Sequence, residues 1–505
     1  MSVTVPPGVT SGDTVEFEDG HGRMLAVEVP GGLQPGETFD VISPNPAPCT
    51  AAHGEAVADQ KLVDTKGAAS PSEDDGGLGV VRIKPLGAGG GGGERSAFLG
   101  PSRRIDYTTR PATVTVDGRL FAYPSHIITP EMDQAALFDA FMPRRVQAFM
   151  RGTNVNVMAY GQTGSGKTHT MFGPPGIMAR AAAGDFGDGV CDAYGLFPRG
   201  LLAIFHECAR RRARGESLVL TGSAVELSIS GNQDMLMRIE EVERMRATHA
   251  ASNAPKWSGG QLGVQLDKNA SPPRLFGMTE LPLDTPADVR ALYGALATRN
   301  TAGTRMNDSS SRSHCFAFLT LRVHDPADDT IRTSRFQFVD LAGSERLKDA
   351  HGADVRWKQG GEALNGMVTN YSLMMLSTCA RNLVHEMRRN GGLHFSFKAF
   401  LVDLVPLLQE SMTGDAITAC FVCLSQAPTN LMHSKFALDF GEVFAKLVTR
   451  PRRVPAKPLD KLLDEARQLY GAASAGGGGR YAMMRIAQRR DAEQQLAILC
   501  RFGRR

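Results

Sequence analysis

The apolar positions of this chain fall into runs of three textures. Val155-Asn156-Val157-Met158-Ala159-Tyr160 has the pattern of a buried strand, and Phe316 to Val323, Phe336 to Val339 and Ile417 to Leu424 read as further strands. Near the N-terminus, Val5 to Phe17 is echoed by Val29 to Val41. Each copy is Pro-Gly turn chemistry followed by a strand that alternates apolar and polar residues. Toward the other end, Leu459, Leu462, Leu463, Ala466 and Leu469 trace a helical stripe of about three turns. No heptad pattern persists long enough for a long coiled coil.

These textures divide the chain. Residues 1–42 predict a small β unit, for which a binding appendage, a structural cap and a loosely ordered extension all remain open. Residues 43–77, rich in Pro, Ala, Ser, Asp and Gly, suit a flexible linker. Residues 78–450 read as one large α/β domain, with the glycine run 89–93 as a surface insertion. Residues 451–505 carry the short helix, a second glycine run at 476–479 and a basic helical tail.

Composition adds mainly exclusions. With 56 basic and 53 acidic residues the formal net charge is +3, so no global field points to nucleic acid. No run of about 18 apolar residues occurs, and the N-terminus lacks a charged start with an apolar stretch, so membrane insertion is not expected. The eight cysteines have irregular spacing and give no disulfide framework, and a reducing compartment is expected. Cys420 and Cys423 form a C-x-x-C inside an apolar strand-like run with no second pair, which predicts core cysteines rather than a zinc site.

Candidate chemistry begins where the first strand ends. Gly161-Gln162-Thr163-Gly164-Ser165-Gly166-Lys167-Thr168 fits G-x-x-x-x-G-K-[ST], whose glycines let backbone N–H groups turn inward around phosphate oxygens. Lys167 is placed to reach the β/γ-phosphates and Thr168 to ligate Mg²⁺, and a helix beginning after Lys167 would face the phosphates with its positive end. Asn307 to His314, with Ser309, Ser310, Ser311 and Arg312, has the hydroxyls and guanidinium of a loop that senses a γ-phosphate. The strand Phe336 to Val339 ends in Asp340-Leu341-Ala342-Gly343-Ser344-Glu345, where Asp340 can hold the Mg²⁺ shell and Gly343 can bring its N–H to the γ-phosphate. A serine-rich turn or a strand followed by D-x-x-G means little alone. In this order, after a P-loop, they make a nucleotide switch.

With these motifs the chain resembles the kinesin motor domain from about Val80 to Leu447. The likeness extends to Val81-Arg82-Ile83-Lys84-Pro85-Leu86, Ala159-Tyr160, His169-Thr170-Met171, Gly195 to Arg199, Thr304 to Asn307, Leu407 to Ser411 and Phe436 to Gly441. It implies a P-loop NTPase-type mixed β-sheet with helices on both faces, ATP and Mg²⁺ as ligands, ATP hydrolysis and a microtubule partner in the cytoplasmic cytoskeleton. Position by position, it implies adenine contacts at Arg82, Lys84, Pro85 and His169, and phosphate contacts from Gly161 to Thr168. Ser310 and Ser311 would close on the γ-phosphate, Ser311 with Thr168 and Asp340 on the metal, and Arg312 with Glu345 would bridge the two switches. Residues 451–505 would begin as a neck-linker-like segment.

The track-facing side departs from the family. Glu362-Ala363 and Asn370-Tyr371-Ser372-Leu373 match the helix after the second switch only with about three extra residues, such as Gln359-Gly360-Gly361. Where the family carries polar and basic microtubule contacts, His394 to Pro406 is largely apolar. From Arg346 to Glu362 four basic residues face three acidic ones, a weak patch for an acidic track. Arg388-Arg389 fits a remnant contact or a solvated basic turn equally. The expected function is a microtubule-based ATP motor. The alternatives are a non-motile kinesin using ATP as a switch or tubulin anchor, and a scaffold or signalling NTPase. The short C-terminal helix suggests a monomer or a partner-dependent dimer.

Overall fold

The computed structural model describes residues 2–4, 14–18, 24–28, 38–40, 78–84, 105–116, 118–228, 231–238, 240–241, 243–244, 247, 263–268, 270, 272–297, 299, 313–344, 362–391, 395–400, 402–427, 430–447, 450–475 and 482–503. It divides into Met1–Val63 and Asp64–Arg505. In the first unit β2 (Thr14–Glu18) and β3 (Met24–Glu28) pair antiparallel, and β1 (Ser2–Thr4) pairs antiparallel with β4 (Thr38–Asp40).

The second unit begins with β5 (Leu78–Ile83), a three-stranded sheet of β6 (Ile105–Thr109), β7 (Ala112–Val116) and β8 (Arg119–Phe121), and then β9 (His126–Ile128). Helices α1 (Gln134–Phe141) and α2 (Pro143–Met150) lead to β10 (Val155–Tyr160), α3 (Lys167–Met171), α4 (Ile177–Ala183) and α5 (Leu196–Ala213). Five strands follow: β11 (Leu218–Ser228), β12 (Gly231–Asp234), β13 (Gly263–Asp267), β14 (Arg274–Phe276) and β15 (Leu281–Pro282). After α6 (Pro286–Ala297) come β16 (His314–Asp325), β17 (Thr330–Asp340), and α7 (Glu362–Asn390). The chain continues through α8 (Leu404–Leu407), α9 (Gln409–Thr413), β18 (Ile417–Leu424), α10 (Leu431–Phe444), β19 (Lys457–Pro458), α11 (Leu459–Ser474) and α12 (Ala482–Leu499).

The large sheet runs β14-β13-β12-β11-β16-β17-β10-β18-β5-β9. Its β17-β10-β18-β5-β9 half is parallel and the remainder antiparallel. Period-two alternation explains why both faces are covered. On β18, Ala419, Phe421 and Cys423 point into one core layer, with α1 to α6. Cys420, Val422 and Leu424 point into the other, with α7 to α10 and the β6–β8 sheet. Both cysteines of the C-x-x-C are free and buried, as core residues would be. Burial raises both thiol pKa values. Along α7, Leu373, Leu376, Ala380, Leu383 and Val384 recur at helical spacing and are all buried against the sheet.

The C-terminal residues fold back onto this core. The segment 450–458 runs as a strap: Arg450 N–H donates to Gly414 O (3.0 Å), Val454 N–H to Gly152 O (2.8 Å), and Lys457 and Pro458 pair with Ile331 and Thr330. Helices α11 and α12 then pack on each other, and Leu459, Ile498, Leu499 and Phe502 join Val219 and Ile331 in a third apolar cluster. Polar ties reinforce it. Arg490 meets the buried Asp234 (3.3 Å), Gln494 accepts from Glu280 N–H (2.7 Å), and Gln495 reaches the Glu280 carboxylate (2.6 Å).

Candidate nucleotide site

The loop after β10 is shaped by its glycines. Gly161 has φ of +149°, and a Cβ there would lie 2.4 Å from Cys423 O and 2.8 Å from Ser165 Oγ. Only glycine lets this strand end pass so close to β18. Gly164 and Gly166 also have positive φ, +77° and +98°. Ser165 Oγ and Lys167 Nζ both donate to Gln162 O, at 2.8 and 2.7 Å, so the loop holds its arch by its own contacts. Thr163 and Gly164 form its exposed crown, while Lys167 and Gln162 are buried. The helix that follows is short. α3 ends after five residues, where Gly173 (φ +113°) and Pro174 break the pattern.

The end of β17 lies beside this loop because β10 and β17 are parallel neighbours, with Ala159 opposite Asp340. Thr168 Oγ1 donates to Asp340 Oδ2 at 2.7 Å. Asp340 is fully buried, and its second oxygen, Oδ1, has no hydrogen-bond partner among the described residues. A hydroxyl and a carboxylate oxygen side by side, with one lone-pair set unused in a buried position, fit a hard divalent cation such as Mg²⁺. Among the described residues no group of three or more His, Cys, Asp or Glu could hold a metal. Ser344 N–H donates to Gly161 O (3.2 Å), so the strand-end segment also touches the phosphate loop through its backbone.

Two residues without an individual role in the sequence reading, Arg299 and the last residue of the 307–314 segment, complete this centre. Arg299 is almost wholly buried and spans the two switch strands. Its Nε meets Asp340 Oδ2 (3.1 Å), Nη1 donates to Ser313 Oγ (2.9 Å), and Nη2 donates to the carbonyls of Ser313 (2.9 Å) and Asp340 (3.2 Å). Ser313 in turn donates to Glu226 (2.6 Å). Burial alone would lower the pKa of Arg299, but Asp340, Cys315 and Glu226 outweigh it and the net shift is upward. A single arginine after an apolar helix carries no periodic signal, so only the fold reveals it. His314 is the second. Its Nδ1 accepts from Ala342 N–H (3.1 Å), so the proton sits on Nε2, which faces Ser372 Oγ on α7 at 2.7 Å. Burial, then Arg299 and Lys167, lower its pKa to about 3, so it is neutral.

At the positions expected to flank adenine, Arg82 is buried and donates to Gln134 Oε1 (3.2 Å) and Thr170 Oγ1 (2.9 Å). Gln134 donates to His169 O (2.6 Å), and the His169 ring is held at a pKa of about 4 by burial, Arg82 and Lys84. Lys84 is exposed, its N–H bonded to Leu424 O (3.0 Å). Gly343 is buried after the strand end. Pro85, Ser310, Ser311, Arg312 and Glu345, and the proposed insertion 359–361, lie outside the described residues. Of the apolar stretch that replaces the track-facing set, Phe397, Leu404 and Val405 are buried in the core.

A mixed sheet between two helical layers, with the glycine-rich loop and a carboxylate-bearing strand end meeting at one end of it, defines a P-loop NTPase-type fold. The chain belongs to the kinesin family, whose motor-domain profile matches residues 103–447. It is 28% identical over 391 residues to the Kinesin-like protein KIN-14M of Arabidopsis thaliana, covering 75% of this chain and 47% of that protein. It is 28% identical over 335 residues to Carboxy-terminal kinesin 2 of Xenopus laevis, covering 66% and 45%. The chain thus spans about half the length of these relatives or less. Among solved structures, the KIF14 dimer with AMP-PNP on a microtubule superposes with a TM-score of 0.58 at 21% identity, covering 75% of this chain and 96% of that one. A fast kinesin superposes with a TM-score of 0.52 at 23% identity, covering 75% and 94%. At these identities the superpositions speak for the fold.

Proposed function

We propose that the chain hydrolyses ATP and couples turnover to microtubule binding as a cytoskeletal motor. The observation that carries this is the meeting of Thr168 and Asp340, with Asp340 Oδ1 left over, at the foot of an arched phosphate loop. In this reading Gly161 to Thr168 cradle the phosphates and Lys167 turns from Gln162 O to the β/γ-oxygens. Bound Mg²⁺ would neutralise charge developing on those oxygens. Ser310, Ser311, Arg312 and Glu345, by family resemblance, order the attacking water, and Gly343 reports γ-phosphate loss to α7. Arg299 fixes the Asp340 carboxylate, and His314 joins the strand end to α7. ATP turnover with and without microtubules tests the proposal. Lys167→Ala should abolish nucleotide binding or turnover, and no hydrolysis by the unmutated chain in either condition refutes it.

A second reading, a non-motile kinesin that uses ATP to switch tubulin binding, is favoured by one feature. α7 exposes Tyr371 and Met374, one turn apart, where a strongly basic face would best suit an acidic track. Smooth directional gliding of microtubules over the immobilised chain would eliminate it.

A further inference from the structure

The strap crosses a cavity that belongs to no part of the nucleotide site. It measures about 160 Å³ and lies between the end of α2, α5, the β16–β17 hairpin and strap residues Arg453 and Ala456. Its lining is basic: Arg151, Arg211, Arg332 and Arg453, with His324 and Asp325. Most of the remaining partners are taken. Arg211 is neutralised by Glu216 and donates to Met150 O (2.8 Å). His324 is held by Asp329 (2.7 Å), and Asp325 accepts from Ala327 N–H (3.0 Å). Arg453 Nε donates to Arg151 O (2.7 Å), and Arg332 Nη1 donates to Val454 O. These bonds fix the two side chains without cancelling charge, and Arg151, Arg332 and Arg453 form no ion pair among the described residues. The pKa of Arg332 is lowered by burial and then by Arg453, despite Asp325 and Asp328. Gly152 makes this convergence possible: at φ +97° its missing Cβ would sit 2.3 Å from Arg332 Cδ.

We propose that this cavity is a binding site for a phosphate group, and that its occupant holds the strap down. Guanidinium forks pair bidentately with phosphate oxygens, and several arginines in one lining can serve more oxygens of a tetrahedral oxyanion than a carboxylate offers. The volume is several times the roughly 30 Å³ share of one water, so it admits a phosphate with part of its hydration. Because Arg453 and Ala456 come from the strap, lifting the strap removes the Arg453 guanidinium from the site. Phosphate therefore binds the docked form more tightly and must stabilise it.

Hydrogen exchange at the Val454 amide, which reports the bond to Gly152 O, tests this. The full chain is saturated with Mg-ADP and titrated with inorganic phosphate against chloride at matched ionic strength. At ten times its dissociation constant, phosphate should slow Val454 exchange by up to about 11-fold and leave the Leu283 amide, bonded to Leu220 O, unchanged. Arg453→Gln, and separately Arg151→Gln, should remove the effect; both side chains are exposed. A parallel titration with phosphoserine distinguishes sources: protection by both ligands means the pocket accepts a monoester, and protection by inorganic phosphate alone means a free ion. No protection by either, or equal protection in the Arg453→Gln protein, overturns the proposal. Neither result depends on ATP turnover, so the proposed motor activity stands or falls separately.

Discussion

Replacing Arg299 by Met keeps the length of the side chain and removes its charge and its donors. The guanidinium it deletes makes contacts with Asp340 and Ser313 and lies 3.6 Å from Glu226, while Asp340 is fully buried. Removing one partner of a buried ion pair leaves the other charge uncompensated, at a cost of about 3–5 kcal/mol. An unfolding entropy near 2.1 cal/mol/K per residue, over a unit running from Asp64 to Arg505, comes to about 0.9 kcal/mol/K. The expected fall in Tm is therefore ~3–5 °C. Thermal unfolding at two ADP concentrations lets the ligand-linked part be subtracted. Adding Asp340→Asn to Arg299→Met should cost much less than the sum of the single changes, because the neutral partner no longer needs compensation. A fall below about 1 °C, or simple additivity of the two changes, would refute the view that this pair holds the centre together.

Gly161→Ala should lower nucleotide affinity at least about tenfold, since its Cβ would meet the Cys423 carbonyl at 2.4 Å and the arch must shift; equilibrium binding of a fluorescent ATP analogue measures it. Asp491, buried on α12 with Arg274 3.5 Å away, has its pKa raised from 3.8 to about 6 by burial. The folded chain keeps a proton that the unfolded chain sheds across that window, so this residue costs stability as pH rises, about 3 kcal/mol above pH 6. Asp491→Asn should thus raise Tm at pH 8 and change it little near pH 4. His314 has the opposite sign: with its pKa lowered from 6.5 to about 3, its contribution is full above pH 6.5 and is lost as pH falls toward 3. His314→Leu should destabilise at pH 7.5 by about 1–3 kcal/mol, because the buried Ala342 N–H loses its acceptor, and the gap to the unmutated chain should close on acidification in urea unfolding.

How far these features could be foreseen depends on how many residues each one uses. The strands at 155–160 and 417–424 are legible because every second residue faces one core layer and the alternate residues the other, leaving few polar positions. The phosphate loop is legible because its glycines answer a local backbone demand. Arg299 is not, since its partners are 41 residues away at Asp340 and 14 away at Ser313, and nothing in its neighbours' pattern marks it. The stripe from Leu459 to Leu469 foretells a helix but not where it docks. Its docking is set by Val219 and Ile331 on strands far back in the chain, and that of α12 by Gln494, Gln495 and Arg490 against Glu280 and Asp234. Polar residues on a basic helix look like a solvated face until the sheet edge that receives them is known.

The folded-back helices also decide how tension would travel. A pull applied to α12 does not act first on the strap. It meets the Arg490–Asp234 contact, the Gln494 and Gln495 ties and the Ile498–Phe502 cluster, which stand between the point of attachment and residues 450–458. Force on that end must peel the hairpin from the sheet before it can lift the strap, so the pair of helices works as a mechanical fuse that yields ahead of residues 450–458.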